Sequence, residues 1–148
     1  MKDISATDLP AFQEWRRQFV PELGPAEYLE HETSLVSAML VAELIFPRLI
    51  DVRGCVIRQD RYQESAFDEW WDELHGDREQ IERVLNFLQL TDVFDPVDSI
   101  ERTALDVLAQ RIALGWRTQA DLQFPDRGLT VEVVPTDEDG PYVLLYGG

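Results

Sequence analysis

Cysteine is almost missing. Cys55 is the only one in 148 residues, so no intrachain disulfide can form and a disulfide-stapled scaffold is excluded. Lysine is as scarce: Lys2 stands alone among 13 basic residues, the rest being arginine. That usage points to a GC-rich bacterial genome. Positive charge as a whole is short, with 13 Lys and Arg against 29 Asp and Glu, a net charge of −16. A phosphate-binding surface needs clustered cations, so direct nucleic-acid binding is not expected. Long apolar runs are missing too. The longest, Ala38 to Pro47, is broken by Glu43 and falls far short of the roughly 20 residues of a membrane helix. The stretch Met1 to Pro10 has no apolar centre flanked by positive charge, so a signal peptide is not expected and the expected location is the cytoplasm. His31 and His75 are the only histidines, which confines imidazole chemistry to two positions.

What is present is an ordinary apolar share, 45%, with 28% charged residues, which argues for a folded globule rather than disorder. The length fits one domain over residues 1–148, with no repeat and no Gly/Ser linker to divide it. A first helix is expected from Thr7 or Asp8, with Leu9, Phe12, Trp15 and Phe19 near one face and Pro21 as its stop. Ala26 to Glu32 adds a short acidic turn. From Thr33 to Phe46 the residues are apolar round most of the circumference, which predicts the buried central helix of the fold. Leu49 to Arg58 reads as one mid-chain strand, with Gly54 as a bulge.

A third long helix is expected over Ser65–His75, capped by Ser65 and closed by Gly76, with Phe67, Trp70, Trp71 and Leu74 at i, i+3, i+4 and i+7. Asp77 with Gln80, and Asp98 with Glu101, have the spacing of helix N-termini. The helix from Asp77 carries Ile81, Val84, Leu85 and Leu88, and the one from Asp98 runs to about Leu122. Leu129–Val134 and Tyr142–Tyr146 alternate as strands joined by the loop Pro135–Pro141, a C-terminal hairpin. The fold class expected is therefore α+β: about five helices around a buried central one, with a small, mostly antiparallel sheet.

Chemical motifs are few. The sequence has no GxSxG, P-loop, GxGxxG or CxxC, which removes the usual signals for hydrolases, nucleotide binding and zinc. Asp68, Asp72 and His75 fall at i, i+4 and i+7, and Glu27 and His31 at i, i+4. Together they are the one set from which a metal-dependent hydrolase could be assembled. The solvated side of amphipathic helices is the simpler reading. Asp137-Glu138-Asp139-Gly140 lacks the register of a calcium loop and reads as an acidic hairpin turn that discourages edge-to-edge pairing. Cys55 reads as a buried structural thiol. No catalytic residue, metal or cofactor is expected.

The charge is the stronger signal. Trp70 and Trp71 are set among Asp68, Glu69, Asp72 and Glu73, and adjacent helical residues point about 100° apart. Either both rings close the core, or one lies at its rim as an anchor for a partner. An acidic face of this kind attracts a basic protein, with on-rates raised by about 10- to 1,000-fold at low salt. A nuclease or DNA-binding toxin has that character, and immunity proteins that neutralise such toxins are small acidic domains. Size and charge alone carry that comparison. The expected function is thus a non-enzymatic acidic protein-binding domain, immunity-like, with Asp68, Glu69, Trp70, Trp71, Asp72 and Glu73 as the contact residues. A small metal-dependent hydrolase and a structural subunit of a larger assembly are the alternatives, and a homodimer is open to all three.

Overall fold

The computed structural model of the protein describes residues 3–135 and 138–147. Among them are six α-helices: α1 (Pro10–Arg16), α2 (Pro25–Glu32), α3 (Leu35–Ile45), α4 (Glu64–Glu73), α5 (Arg78–Leu85) and α6 (Ser99–Gln123). Five strands accompany them: β1 (Leu49–Val52), β2 (Cys55–Arg58), β3 (Leu88–Gln89), β4 (Leu129–Val134) and β5 (Tyr142–Gly147). The class is α+β, with two small antiparallel sheets, β1-β2 and β3-β5-β4. Of the loop expected over Pro135–Pro141, Thr136 and Asp137 lie outside the described residues.

The helix at the centre is α6. Asp98 caps it, its carboxylate accepting the Glu101 amide at 2.8 Å, and Glu101 accepts the Val97 amide at 2.7 Å. Leu105, Ala109, Ile112, Trp116 and Ala120 recur at helical spacing and are buried, against Leu49 and Val56 on one sheet and Val131, Val143 and Leu145 on the other. Each large side chain sealed there contributes roughly 1.5–3 kcal/mol relative to exposure. A second, smaller core lies on the opposite face of the β1-β2 ribbon. There Cys55 and Ile57 meet Phe67 of α4 and Ile81 and Leu85 of α5.

Two expectations are corrected. The apolar helix, α3, is not the buried centre. Leu35 is 77% exposed, Val36 68%, Met39 54% and Leu40 59%. Only its last turn touches the core, through Leu44 and Ile45. An all-apolar helix is buried when something covers every side of it; among the described residues α6 covers one end of one side. The mid-chain strand is also two strands. Arg53 (φ 51°) and Gly54 (φ 86°) both take the left-handed conformation and turn the chain into a two-residue hairpin. Gly54 is the turn rather than a bulge, with its amide held by Asp51 at 3.0 Å. Antiparallel partners share a face, so the pairs Ile50–Ile57 and Val52–Cys55 turn together toward α4 and α5, while Leu49 and Val56 turn toward α6.

The two sheets are joined by two side chains, Glu82 of α5 and Asn86 just past its end. Glu82, one helical turn before Asn86, accepts the Val56 amide at 2.7 Å through one oxygen and the Gly147 amide at 2.8 Å through the other. The Asn86 amide nitrogen donates to the carbonyls of Val56 at 2.8 Å and Leu145 at 3.1 Å, and its oxygen accepts the Arg58 amide at 2.8 Å. These bonds satisfy backbone groups of β2 and β5 that no neighbouring strand reaches. Glu82 and Asn86 are both buried, and a buried polar group is tolerated where it is bonded in this way.

Candidate partner-binding site

α4 places the sequence-predicted contact residues. The helix begins at Glu64 after Gln63, two residues ahead of the expected cap at Ser65, and ends at Glu73. Phe67 is its fully buried residue, and it seats the helix on the second core. Trp70 and Trp71 are both half-buried and pack on that core. Trp71 stacks on Phe67 with ring centres 6.0 Å apart. The Arg53 guanidinium lies over the rings of Phe67 and Trp71 at 5.6 and 5.3 Å and bonds the Asp68 carboxylate at 2.9 Å. Asp68 is thereby committed to a cation of its own chain. Glu69, Asp72 and Glu73 remain exposed, as does Glu64 at the helix start. The arrangement is a set of exposed carboxylates around two indoles that pack on the core.

The hydrolase constellation does not assemble. His75 lies beyond the end of α4 with φ 52°, and Gly76 follows at φ 70°. The helical face that would align His75 with Asp68 and Asp72 has already ended. Glu27 and His31 share α2, where the His31 ring nitrogen Nδ1 lies 2.7 Å from the Glu27 carbonyl and its ring lies against Trp15 and Phe19. Among the described residues no three His, Cys, Asp or Glu come together as metal ligands.

Cys55 is fully buried, and its thiol is pushed up from 9.0 to about 11, first by burial and then by the nearby Glu82 charge. A thiol held protonated at neutral pH is a poor nucleophile. Burial also raises the Glu82 carboxyl above its ordinary range. The buried Arg58 guanidinium, whose pKa burial lowers, bonds Asp60 at 2.6 Å and lies 4.8 Å over the Trp116 ring. These are structural assignments. A cleft of about 400 Å³ between Leu9, Phe94 and Leu108 is walled mainly by apolar side chains, and Glu101 on its rim is engaged at the α6 cap.

The free face of α3 is the feature that residue-by-residue reasoning missed. The sequence carries its signal: from Thr33 to Pro47 the only charged residue is Glu43, in a chain of net charge −16. No helix among the described residues is long and apolar enough to cross a membrane. No family model, no curated protein and no solved structure matches the chain.

Proposed function

We propose that this chain is a non-enzymatic, acidic protein-binding domain whose partner is a basic protein docking on α4. One observation carries the reading: Glu64, Glu69, Asp72 and Glu73 are exposed and form no ion pair among the described residues, while Arg53, the cation that bonds this helix, is paired with Asp68. Carboxylates without an internal partner supply long-range attraction to a cationic surface. The half-buried edges of Trp70 and Trp71 add apolar area that is already rigid and loses little entropy on docking. A basic toxin or nuclease blocked by an immunity-type inhibitor is the partner class that best matches this charge.

Affinity capture from the native host at low and high salt tests the reading. Basic proteins are expected to be retained, released as salt rises, and lost from a Glu69→Lys/Asp72→Lys/Glu73→Lys variant. Retention that ignores salt, or that survives the triple variant, would overturn it.

A further inference from the structure

We propose that α3 is the seam of a homodimer, its exposed face covered by α3 of a second copy of this chain. The last turn of α3 is fixed to its own α6. Trp116 donates its indole N–H to the Leu44 carbonyl at 2.9 Å, and Gln123 bonds the Pro47 carbonyl at 3.1 Å. Leu44 and Ile45 therefore face inward. At 100° per residue, Leu35, Val36 and Met39 fall away from that side, and Leu40, one turn before Leu44, is exposed as well. Its position is set while its free face is left in water.

Area favours a second copy. Leu35, Val36, Met39, Leu40 and Phe46 each leave more than half of their surface exposed, where a standard interface takes about 800 Å² from each partner. Leu114 and Leu122 on α6, the helix that holds α3, are exposed as well.

Charge favours an antiparallel two-fold pairing. Glu43, the only charge on the helix, lies near its C-terminus. An antiparallel partner brings it to the first turn of the other α3, where unpaired backbone amides carry partial positive charge. Two copies repel at long range, since each carries −16, so added salt should tighten this association. A salt response of that sign is opposite to the one expected of the basic partner at α4. A membrane is the poorer occupant: α2, which leads into α3, carries Glu27, Glu30 and Glu32 and no Lys or Arg, the reverse of what an anionic bilayer attracts.

Sedimentation equilibrium of the whole chain, with a salt series, is the first test. We expect twice 17.1 kDa at tens of micromolar protein, with the dimer fraction rising as salt rises. Met39→Glu/Leu40→Glu should be monomeric and fold as well as the parent, because both side chains already face solvent. A Met39→Cys variant gives a second readout that needs no loss of function. A short bis-maleimide should link two copies through position 39, Cys55 being buried, while a Glu69→Cys variant should stay unlinked. A 17.1 kDa species at every concentration and salt, or equal linking of both cysteine variants, would overturn the proposal. So would a monomer that pellets with neutral or anionic vesicles through Met39 and Leu40. None of these results bears on salt-sensitive capture of a basic protein through α4, so the two readings fail separately.

Discussion

The carbonyl oxygen of Ile45 lies so close over Gly115 that any side-chain carbon there would overlap it. Gly115 thus sets how near α3 approaches α6, and the Trp116 indole one residue on fixes the register by bonding Leu44. Gly115→Ala gains up to about 1 kcal/mol of helix propensity but forces backbone against backbone, an overpacking cost of about 1–3 kcal/mol. A net loss is expected, read as a fall of a few degrees in the melting temperature. Wild-type or higher stability would show that the two helices separate freely.

Glu82→Gln should destabilise by about 1–3 kcal/mol, because the amide offers one acceptor where two buried N–H groups need one each. Asn86→Leu should cost at least as much, since it strands three backbone groups of β2 and β5. Urea unfolding measures both. Wild-type midpoints would mean that these bonds are replaced by water.

The pH dependence has opposite signs at two carboxyls. The Glu82 pKa is raised in the fold, chiefly by burial. Its contribution is fully present below the ordinary 4.5 and lost as pH rises through the raised value. Asp51 is lowered, first by its hydrogen bond from Arg127 and then by the Gly54 amide. Its contribution is present above the ordinary 3.8 and lost as pH falls through the lowered value. The stability advantage of wild type over Glu82→Gln should therefore shrink as pH rises above 4.5. A constant gap across that range would contradict the assignment.

Cys55 should resist an aromatic disulfide reagent at pH 8 and react fully once the chain is unfolded. The folded thiol titrates near 11 rather than 9.0. Its stabilising contribution is complete below 9.0 and lost as pH rises through the folded value. Rapid stoichiometric labelling of the folded protein would contradict its burial.

The β1-β2 turn separates two substitutions that look alike. Gly54→Ala meets both a left-handed backbone and the Arg78 guanidinium, and about 1–2 kcal/mol should be lost. Arg53→Asn, at φ 51°, places a residue that takes this conformation readily and should be far milder, although the cation over Trp71 is removed. Chemical unfolding of both variants decides; equal losses would mean that the turn conformation is not what limits stability.

How much of this was legible depended on whether a signal was local. Asp77 and Asp98 announce their helices because a carboxylate just before a helix has its bonding partner within three residues. The C-terminal hairpin was legible because alternation has the same meaning wherever the sheet lies. The β1-β2 turn was not, since nothing in the side chain of Arg53 announces a positive φ. The two-residue strand β3 is too short to carry a pattern. The acids of α4 could be read directly, but the depth of Trp70 and Trp71 is set by Cys55 and Ile57 on a distant ribbon. The apolarity of α3 was read correctly and its consequence was not. Hydrophobicity states that a surface prefers cover; it does not state which molecule provides it.

The bridge made by Glu82 and Asn86 has a mechanical consequence. Residues 49–58 and 129–147 are far apart along the chain, yet one short helix holds an edge of each. Sliding either ribbon along its axis would break bonds to the other, so the two should yield together under load, with the amides of Val56, Arg58 and Gly147 losing protection against solvent deuterium in a single step.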